Sequence, residues 1–333
     1  MRRKRYLEEL GEQRSVFGSR FVGFMRSVAA AGGVATLGAI GTLALGHLES
    51  RFPKVRHLRV PIPARSGFAG LRVLHISDLH LFSGQDFIIR FLKKVAEEEQ
   101  FDLVVSTGDN LSDLSGVPLL LDALAPLTSR PGAFVLGSND YYLPEPKSWA
   151  SYLDPRHHEK AGEKAAVTTP DLPWVEVVRD LAGLGWIDLT NRSVELDVPS
   201  PFGVVPVALS GVDDPHILRD HMPKPVAAWG EEPTVRLALA HAPYRRVLDE
   251  FTNLGADVIF SGHTHGGQIR LPFFGALVNN TDIDIKYSRG LYRWMTAKAQ
   301  SWLHISAGLG TSRFARVRLF CRPEVSILHL VPS

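Results

Sequence analysis

Apolar residues occur along the chain in short runs, and most of these runs are followed at once by a polar or charged side chain. Runs of this kind, bounded by glycine or polar residues, are typical of buried β-strands. The clearest runs cover residues 71–77, 103–107, 132–136, 235–240 and 256–260. Segments with apolar residues on one helical face separate several of them, at residues 86–100, 117–127 and 175–184. This alternation predicts an α/β fold with parallel strands joined by crossovers.

Further strand-like segments lie on either side of this pattern. Residues 57–60 predict one early strand, and residues 192–198 and 204–210 alternate or run apolar like the two strands of a hairpin. Residues 301–307 and 325–330 are late apolar runs. We expect these two late strands to complete a second sheet.

Polar side chains follow five of the predicted strands at their carboxyl ends. These side chains are imidazoles, carboxylates and one amide: Asp78 and His80, Asp109, Asn139, His241, and His263 and His265. In open α/β sheets the ligand crevice lies outside the carboxyl ends of the strands. We therefore expect the seven side chains to gather at one rim, rather than to be unrelated polar residues.

The ligand types predict a binuclear metal centre. Seven nitrogen and oxygen ligands exceed what one tetrahedral ion uses. They suit two ions ~3.5–4 Å apart that share a bridging carboxylate. Ligation by imidazole, carboxylate and amide without thiolate favours Mn, Fe or Zn over Ca or Mg. The one cysteine, Cys321, excludes an internal disulfide and a cysteine-based zinc site, and we expect it to be a small buried residue.

The N-terminal segment predicts a membrane anchor. Residues 1–26 are basic, and residues 27–46 follow without a charge, which is long enough to span a bilayer as a helix. Alternatives are a buried helix, or a signal cleaved after the small residues of 44–46. The positive-inside rule places the N-terminus in the cytoplasm and the rest of this single-pass protein outside. The bias is weak, because arginines and a lysine also follow the span.

The remaining chain divides into a linker with one strand at residues 47–69 and a main domain at residues 70–333. Residues 144–176 form a polar, proline-punctuated insertion behind the Asn139 loop, which we interpret either as a lid over the rim or as a surface excursion. The net charge is only +2, and there is no extended basic stripe with interleaved aromatic residues. We therefore expect no nucleic-acid partner.

The motifs, in this order, resemble those of the calcineurin-like metallophosphoesterases. Residues 76–80 (Ile-Ser-Asp-Leu-His), 107–109 (Thr-Gly-Asp) and 261–268 (Ser-Gly-His-Thr-His-Gly-Gly-Gln) are similar to the bacterial YkuE/YaeI-like branch of that family. The tail segments 308–312 and 321–324 also resemble that branch. The resemblance covers about residues 70–330, and the combined set of motifs is specific.

The resemblance implies a four-layer α/β/β/α sandwich of two mixed sheets, with the metals between the loop ends of the sheets. One ion would be held by Asp78, His80, Asp109 and His265. The other would be held by Asp109, Asn139, His241 and His263, so that Asp109 bridges the two ions. We assign Asp109, Asn139 and Asp140 to the catalytic set.

The implied function is hydrolysis of phosphodiester, pyrophosphate or phosphomonoester bonds by a metal-activated hydroxide. The substrate would be a phosphorylated small molecule or a lipid-linked compound, and a membrane tether would suit the latter. Two glycines after His265 would leave room for a phosphate oxygen, and Arg318 would either add positive charge at the phosphate or serve a structural role.

One motif departs from the family pattern. Where the family has Gly-Asn-His-Asp, this chain has Gly137-Ser138-Asn139-Asp140. In strict register Ser138 replaces the ligand asparagine, and Asn139 replaces the histidine that usually acts as general acid. Alternatively the loop shifts by one residue and Asn139 itself reaches the metal, which we favour because an amide oxygen is the better ligand.

The absence of a histidine from this motif bears on catalysis. Asparagine cannot protonate a leaving group, and general acid help is typically worth ~10²–10⁴ in rate. We therefore hypothesise a substrate with a good leaving group, or a proton donor from elsewhere, with His157, His158 and His216 as candidates. A second interpretation is a catalytically weak metal-binding scaffold of the same fold. Asp213 and His75 are interpreted as a turn-capping aspartate and a core histidine.

Overall fold

The computed structural model describes residues 41–145, 169–231, 234–311 and 313–333. The chain divides into two units, Met1–Gly46 and His47–Ser333. The described part of the first unit, residues 41–46, is helical. Most of the predicted membrane span lies outside the described residues, as does the greater part of the predicted insertion. Within the described ranges, no helix is long and apolar enough to cross a membrane.

The second unit is built on two six-stranded sheets and a short two-stranded hairpin. Its strands are β1 (Lys54–Ile62), β2 (Leu71–Ile76), β3 (Leu103–Ser106), β4 (Gly132–Phe134), β5 (Trp186–Asp188), β6 (Arg192–Ser200), β7 (Gly203–Gly211), β8 (Val235–Leu239), β9 (Val258–Ser261), β10 (Arg270–Leu271), β11 (Gly275–Ala276), β12 (Gly290–Met295), β13 (Gln300–Ile305) and β14 (Glu324–Pro332). The first sheet has the order β1-β14-β2-β3-β4-β5, and the second has the order β12-β13-β9-β8-β7-β6. Its α-helices are α1 (Asp86–Glu98), α2 (Val117–Leu124), α3 (Ser138–Tyr141), α4 (Trp174–Gly183) and α5 (Arg245–Asn253).

The strands that precede the candidate ligands are parallel within each sheet. Strands β2, β3, β4 and β5 pair in parallel in the first sheet, and β7, β8, β9 and β13 do so in the second. Antiparallel pairing is found between β14 and β2, between β6 and β7, and between β12 and β13. The predicted parallel strands, the predicted hairpin and the mixed character of both sheets are confirmed.

Three apolar cores define four layers. Alternate residues of a strand point to opposite faces of its sheet. Accordingly Leu74 of β2 packs with the helix-covered core of the first sheet, whereas its neighbour Val73 packs in the core between the sheets. On the outer side of the second sheet, Phe251 of α5 packs against Ile259 of β9. The layer order is therefore α/β/β/α.

The final strand departs from the prediction. We expected residues 301–307 and 325–330 to complete the second sheet, and β13 does so, but β14 lies in the first sheet between β1 and β2. The reason is burial on both faces. Val325 and Ile327 pack in the helix-side core, while Leu328 and Leu330 pack between the sheets. The position between β1 and β2 covers both apolar faces of β14.

The first strand also extends further than the sequence indicated. The segment predicted as a linker with one strand contains β1, which pairs in parallel with β14 along its length. This segment is therefore part of the folded unit. Helix α5 and strand β12 were not among the predicted elements.

Candidate metal centre

The candidate ligands lie in the loops that leave β2, β3, β4, β8 and β9. Five of them have backbone φ angles in the left-handed region: Asp78 (51°), His80 (45°), Asp109 (56°), His263 (66°) and His265 (50°). Residues other than glycine adopt this conformation at an energetic cost, and such residues cluster at functional sites. Half of the ten such residues in the described part of the chain are candidate ligands. The strain is concentrated where the predicted ligands are.

The first ligand cluster consists of Asp78, His80 and His265, whose donor atoms all lie within 4.8 Å of one another. The Nε2 atoms of His80 and His265 are 3.0 Å apart. His265 Nε2 lies 3.7 Å from Asp78 Oδ1. Two imidazole nitrogens this close are compatible only with a shared proton or a shared cation.

The second cluster consists of Asp109, His241 and His263, again with donor atoms within 4.8 Å of one another. His241 Nε2 lies 3.2 Å from His263 Nδ1 and 3.4 Å from Asp109 Oδ2. The same Asp109 oxygen is 3.5 Å from His80 Nε2 in the first cluster. Asp109 Oδ2 is therefore the atom that both clusters share.

The structure brings Asn139 to this shared carboxylate. Its side-chain nitrogen lies 2.7 Å from Asp109 Oδ2, and its backbone N–H donates to Asp109 Oδ1 at 2.7 Å. A half-turn of the amide places its oxygen where the nitrogen stands. Asn139 thus lies against the carboxylate that both clusters share, and its role as a ligand stays a prediction.

Asp140 lies beneath the ligands and has a different environment. Its two oxygens accept hydrogen bonds from the backbone N–H groups of Asp109, Asn110 and Gly137, each at 2.9 Å. Burial, and then the nearby charge of Asp109, raises the pKa of Asp140 to about 6. These contacts hold the β3 and β4 loops together. Its membership of the catalytic set stays a prediction.

Glycine at position 137 is required by close packing. A Cβ there would collide with the carboxylate of Asp109 and the ring of His241.

The two glycines after His265 are also closely packed. A Cβ on Gly266 would collide with Cys321, and a Cβ on Gly267 would collide with Ala276. We expected this pair to leave room for a phosphate oxygen. The structure instead explains them by packing and by their positive φ angles.

Backbone carbonyls orient two of the imidazoles. His241 Nδ1 donates to the carbonyl oxygen of Thr107 at 2.6 Å, and His263 Nε2 donates to that of Asn280 at 3.2 Å. Each ring therefore turns its other nitrogen towards the cluster. A hydrogen bond from the far ring nitrogen is the usual support of a metal-binding histidine. These two carbonyls had no signal in the sequence, because any residue supplies one.

Burial and neighbouring charges shift the pKa values of the ligands in opposite directions. Burial lowers the pKa of His80 and holds that of His265 well below its ordinary value, so both rings are neutral. Burial alone would raise the pKa of Asp109, but His241 and His80 hold it well below its usual range. Burial likewise opposes the charge on His241, but Asp109 raises the pKa of that histidine well above the ordinary value. A bound cation would displace this proton.

The donor set fits two divalent cations. Buried or mostly buried carboxylates and imidazoles lie 3.0–3.7 Å from their neighbours, and one nitrogen of each cluster lies within 3.5 Å of Asp109 Oδ2. Buried charges are stable when they are paired or coordinate a metal. Asp78, His80 and His265 would hold one ion with Asp109, and His241, His263 and Asn139 would hold the other with the same aspartate.

Arg318 is explained by a structural role. Its guanidinium is fully buried and donates to the carbonyl oxygens of Ala307 at 2.7 Å, Cys321 at 3.3 Å and Gly310. It thereby fixes the loops behind His265. Cys321 is fully buried, as predicted.

Of the three candidate proton donors, the structure describes His216 and brings it to the site. Its ring centroid lies 4.4 Å from that of His263, and its Nδ1 is 2.9 Å from the hydroxyl of Tyr244. His157 and His158 lie outside the described residues. Tyr244 was missed in the sequence, where it looks like an ordinary helix-leading aromatic residue.

Asp213 and Asp214 occupy the loop after β7. Asp213 accepts from the hydroxyl of Tyr141 and from Arg219, each at 2.9 Å, which agrees with a structural aspartate. The side chain of Asp214 caps the 3₁₀ turn Pro215–Ile217 by accepting a hydrogen bond from the backbone N–H of His216 at 2.9 Å. Burial raises the pKa of Asp214 to about 7. The sequence offered no reason to distinguish this second aspartate.

Three relatives illustrate what the chain is similar to. UDP-2,3-diacylglucosamine pyrophosphatase LpxG of Chlamydia muridarum is 29% identical over 320 residues, which is 85% of this chain and 91% of the relative. The metallophosphoesterase YkuE of Bacillus subtilis is 30% identical over 94 residues, 28% of this chain and 30% of the relative. Phosphodiesterase YaeI of Escherichia coli is 36% identical over 96 residues, 29% of this chain and 32% of the relative.

A family model described as calcineurin-like phosphoesterase matches residues 71–267. The matched span includes all seven candidate ligands and both clusters, so the resemblance noted in the sequence is confirmed. With more than half of its length matched and its candidate ligands gathered around one carboxylate, the chain belongs to the calcineurin-like phosphoesterase family and is a metallophosphoesterase, a hydrolase.

Proposed function

We propose that the chain is a binuclear metal-dependent phosphohydrolase that cleaves the pyrophosphate bond of a lipid-linked substrate. The observation that carries the binuclear assignment is the position of Asp109 Oδ2, within 3.5 Å of ligand nitrogens from both clusters. The metals are Mn, Fe or Zn, because the donors are imidazole nitrogens and carboxylate oxygens.

The residues of the chain have separable roles in this reaction. Bound cations would polarise the phosphoryl oxygens and lower the pKa of the attacking water. Asp109 holds the two ligand clusters next to each other, because its Oδ2 lies close to nitrogens of both clusters. Asp140 fixes the loops that carry Asp109 and Asn139 through three backbone N–H groups. Burial of both clusters excludes bulk water and strengthens the electrostatic interactions there.

Two observations support a pyrophosphate over an alkyl ester. The side chain next to Asp109 is the amide of Asn139, which cannot donate a proton to a leaving alkoxide at neutral pH. A pyrophosphate leaves as a phosphate and needs little such help. LpxG, which is similar to most of this chain, is named as a pyrophosphatase acting on a diacylated sugar nucleotide. We infer a substrate of the same chemical class.

We also propose that residues 27–46 anchor the protein in the membrane with the catalytic domain outside the cytoplasm. The uncharged run behind a basic segment supports this proposal. A lipid-linked substrate would make a membrane location useful to the enzyme.

The absence of a histidine at position 139 favours a second candidate, a metal-binding scaffold with little turnover. Asp109→Ala separates the two. We expect the wild-type chain with added Mn²⁺ to hydrolyse an artificial aryl phosphodiester, and the variant to lose both this activity and at least one bound metal. The measurements are initial rate and metal content of the same sample. A wild-type chain that binds metal but turns over no ester or pyrophosphate would support the scaffold.

The proposed lack of a general acid predicts a steep dependence on the leaving group. Within a series of esters of one phosphoryl group, the rate of the wild-type chain should fall strongly as the leaving-group pKa rises. The double variant Ser138→Asn/Asn139→His restores the family motif and should flatten this dependence, with a gain of up to ~10²–10⁴ on alkyl esters. Preferential hydrolysis of alkyl phosphomonoesters by the wild-type chain would contradict the proposal.

The proposed topology predicts that protease added to intact cells degrades the catalytic domain. Detection of an epitope at the C-terminus before and after treatment measures this, with a cytoplasmic protein as the control for cell integrity. An epitope that survives in intact cells and is lost only after lysis would place the domain on the other side.

A further inference from the structure

An exposed apolar hairpin projects from the loop that carries the last candidate ligand. Strands β10 and β11 pair antiparallel, and the turn between them carries Pro272, Phe273 and Phe274. Phe273 is fully exposed, and Phe274 is three-quarters exposed. Two adjacent phenylalanines in water at the tip of a hairpin are costly unless they contact something.

This hairpin forms one wall of a groove of about 500 Å³. Its apolar lining includes Leu271, Phe273, Phe274, Ile285 and Phe320, and its cationic lining is Arg270 and Lys286. We call these seven residues the groove surface. The C-terminal segment that contributes Phe320 is tied to the hairpin by the backbone N–H of Arg270, which donates to the carbonyl of Leu319 at 2.9 Å.

The charge of the groove surface selects its partner. Among the residues that the structure describes, no acidic side chain lines the groove, and residues 313–322 carry four arginines and no acid. Two described carboxylates lie beside the groove. Asp284 pairs with Lys286 at 3.5 Å, where both side chains are exposed, and Glu49 accepts from the backbone N–H groups of Phe320 and Cys321. A second copy of the chain would bring the same positive charge to the contact and be repelled. An anionic lipid bilayer supplies negative phosphates above an apolar interior.

The order of residues also matches a bilayer. Aromatic side chains favour the membrane interface, and lysine and arginine extend to the headgroup level there. The tip residues Phe273 and Phe274 are highly exposed apolar groups, while Arg270 begins the hairpin and Lys286 lines the same groove. Apolar tips with cations behind them are the arrangement of an interfacial anchor.

The hairpin is joined to the metal centre through its base. Arg270 Nη1 donates to the carbonyl of Gly266 at 2.9 Å, directly after His265. We propose that the groove surface binds an anionic lipid bilayer, with Phe273 and Phe274 among the acyl chains and Arg270 and Lys286 at the phosphates. Membrane contact does not depend on turnover; only its use, presenting a lipid-linked pyrophosphate to the metals, rests on the proposed function.

A spin label at the tip tests this contact in the full chain. The variant Phe274→Cys is labelled with a nitroxide, and Phe202→Cys is the matched control. Phe202 is also exposed, in the turn between β6 and β7, at the edge of the sheet where β7 begins. Unaltered protein taken through the same reaction checks that buried Cys321 takes no label. The readout is local, so it is independent of any tether elsewhere in the chain.

With vesicles of phosphatidylcholine and phosphatidylglycerol, the label at position 274 should lose collisions with a water-soluble nickel chelate and gain collisions with oxygen. The label at position 202 should be unchanged. Equal accessibility at position 274 with and without vesicles would overturn the proposal. So would protection that appears without vesicles as protein concentration rises, since a second copy would then cover the surface. Failure of catalysis would leave this result unaffected.

Charge reversal tests the headgroup contact. Lys286→Glu should raise the fraction of phosphatidylglycerol needed to protect the label at position 274. Lys298→Glu is the control, because Lys298 is exposed in the turn before β13, at the opposite edge from the ligands. If the two substitutions have equal effects, binding depends only on the net charge of the protein, and this result would contradict the proposed contact between Lys286 and the headgroups.

A second, independent observation concerns a line of buried polar side chains behind Asp78. Ser77 donates to Asp78 Oδ2 at 2.5 Å, and Thr107 donates to Ser77 at 2.7 Å. His75 Nε2 lies 3.0 Å from the Thr107 hydroxyl, and His75 Nδ1 lies 2.7 Å from His304 Nδ1. His304 belongs to the second sheet, so the line connects the two sheets. His75 is therefore a buried core histidine, as we interpreted it from the sequence, and it also belongs to the line that connects the two sheets.

The direction of every proton in this line follows from chemistry. The carboxylate of Asp78 can only accept, and Thr107 gives its hydroxyl proton to Ser77. Thr107 must therefore accept from the Nε2–H of His75. A neutral His75 then has a bare Nδ1, which accepts from His304. Burial lowers the pKa of both histidines, to about 3 for His304, which agrees with neutral rings.

We infer that Thr107 and His75 are positioning residues that hold the Asp78 carboxylate in its metal-facing orientation. The carbonyl of Thr107 also orients His241, so this residue touches the supports of both clusters. Groups that orient a ligand from behind typically change metal affinity ~10–100-fold when they are removed.

The test compares three substitutions in two neighbouring residues. Thr107→Val removes the hydroxyl at nearly constant volume, and Thr107→Ser restores it. Ser106→Ala is the control, because Ser106 is buried and its hydroxyl has no partner among the described residues. Titration of metal-depleted chain with Mn²⁺ should show affinity lost by ~10–100-fold in Thr107→Val alone.

Folding is monitored by the thermal midpoint of each variant without metal. If Thr107→Val does not fold, Ser77→Ala breaks the same line at its next member and should give the same loss of affinity. Wild-type affinity in a folded Thr107→Val or Ser77→Ala chain would overturn the inference, as would an equal loss in Ser106→Ala.

Discussion

The carboxylate of Asp109 is the interaction on which the site depends. It is buried and ionised, and a buried carboxylate is costly unless charged or hydrogen-bonding partners surround it. Here His80 approaches from the β2 loop, Asn139 from the β4 loop and His241 from the second sheet. The charge is therefore stable only when loops from both sheets are in place.

This constraint accounts for the arrangement of two mixed sheets face to face. Each sheet ends in loops at the same side, and the apolar core between the sheets, which includes Val105 and Leu237, fixes the distance between them. Left-handed backbone at Asp78, Asp109 and His263 then turns the side chains inward. The stability of the packed layers offsets the local strain, which typically costs ~1–3 kcal/mol at each such residue.

Much of the fold and the site could be predicted because each ligand directly follows an apolar run. The runs gave the parallel strands, and their ends gave six ligands that the structure gathers into two clusters. The sheet that receives a strand depends on distant partners, so β14 was assigned to the wrong sheet. The carbonyls of Thr107 and Asn280 had no sequence signal, because every residue has one. From the sequence, we explained the two glycines after His265 by space for a substrate phosphate. In the structure, Cys321 and Ala276 pack so closely against them that a side chain would collide.

The central claim is that one aspartate joins two metal ions, and anomalous diffraction from crystals grown with Mn²⁺ tests it most directly. Our account predicts two anomalous peaks ~3.5–4 Å apart, one in each ligand cluster, with the Asp109 carboxylate between them. A single peak, or two peaks with the Asp109 side chain turned away from one of them, would contradict it.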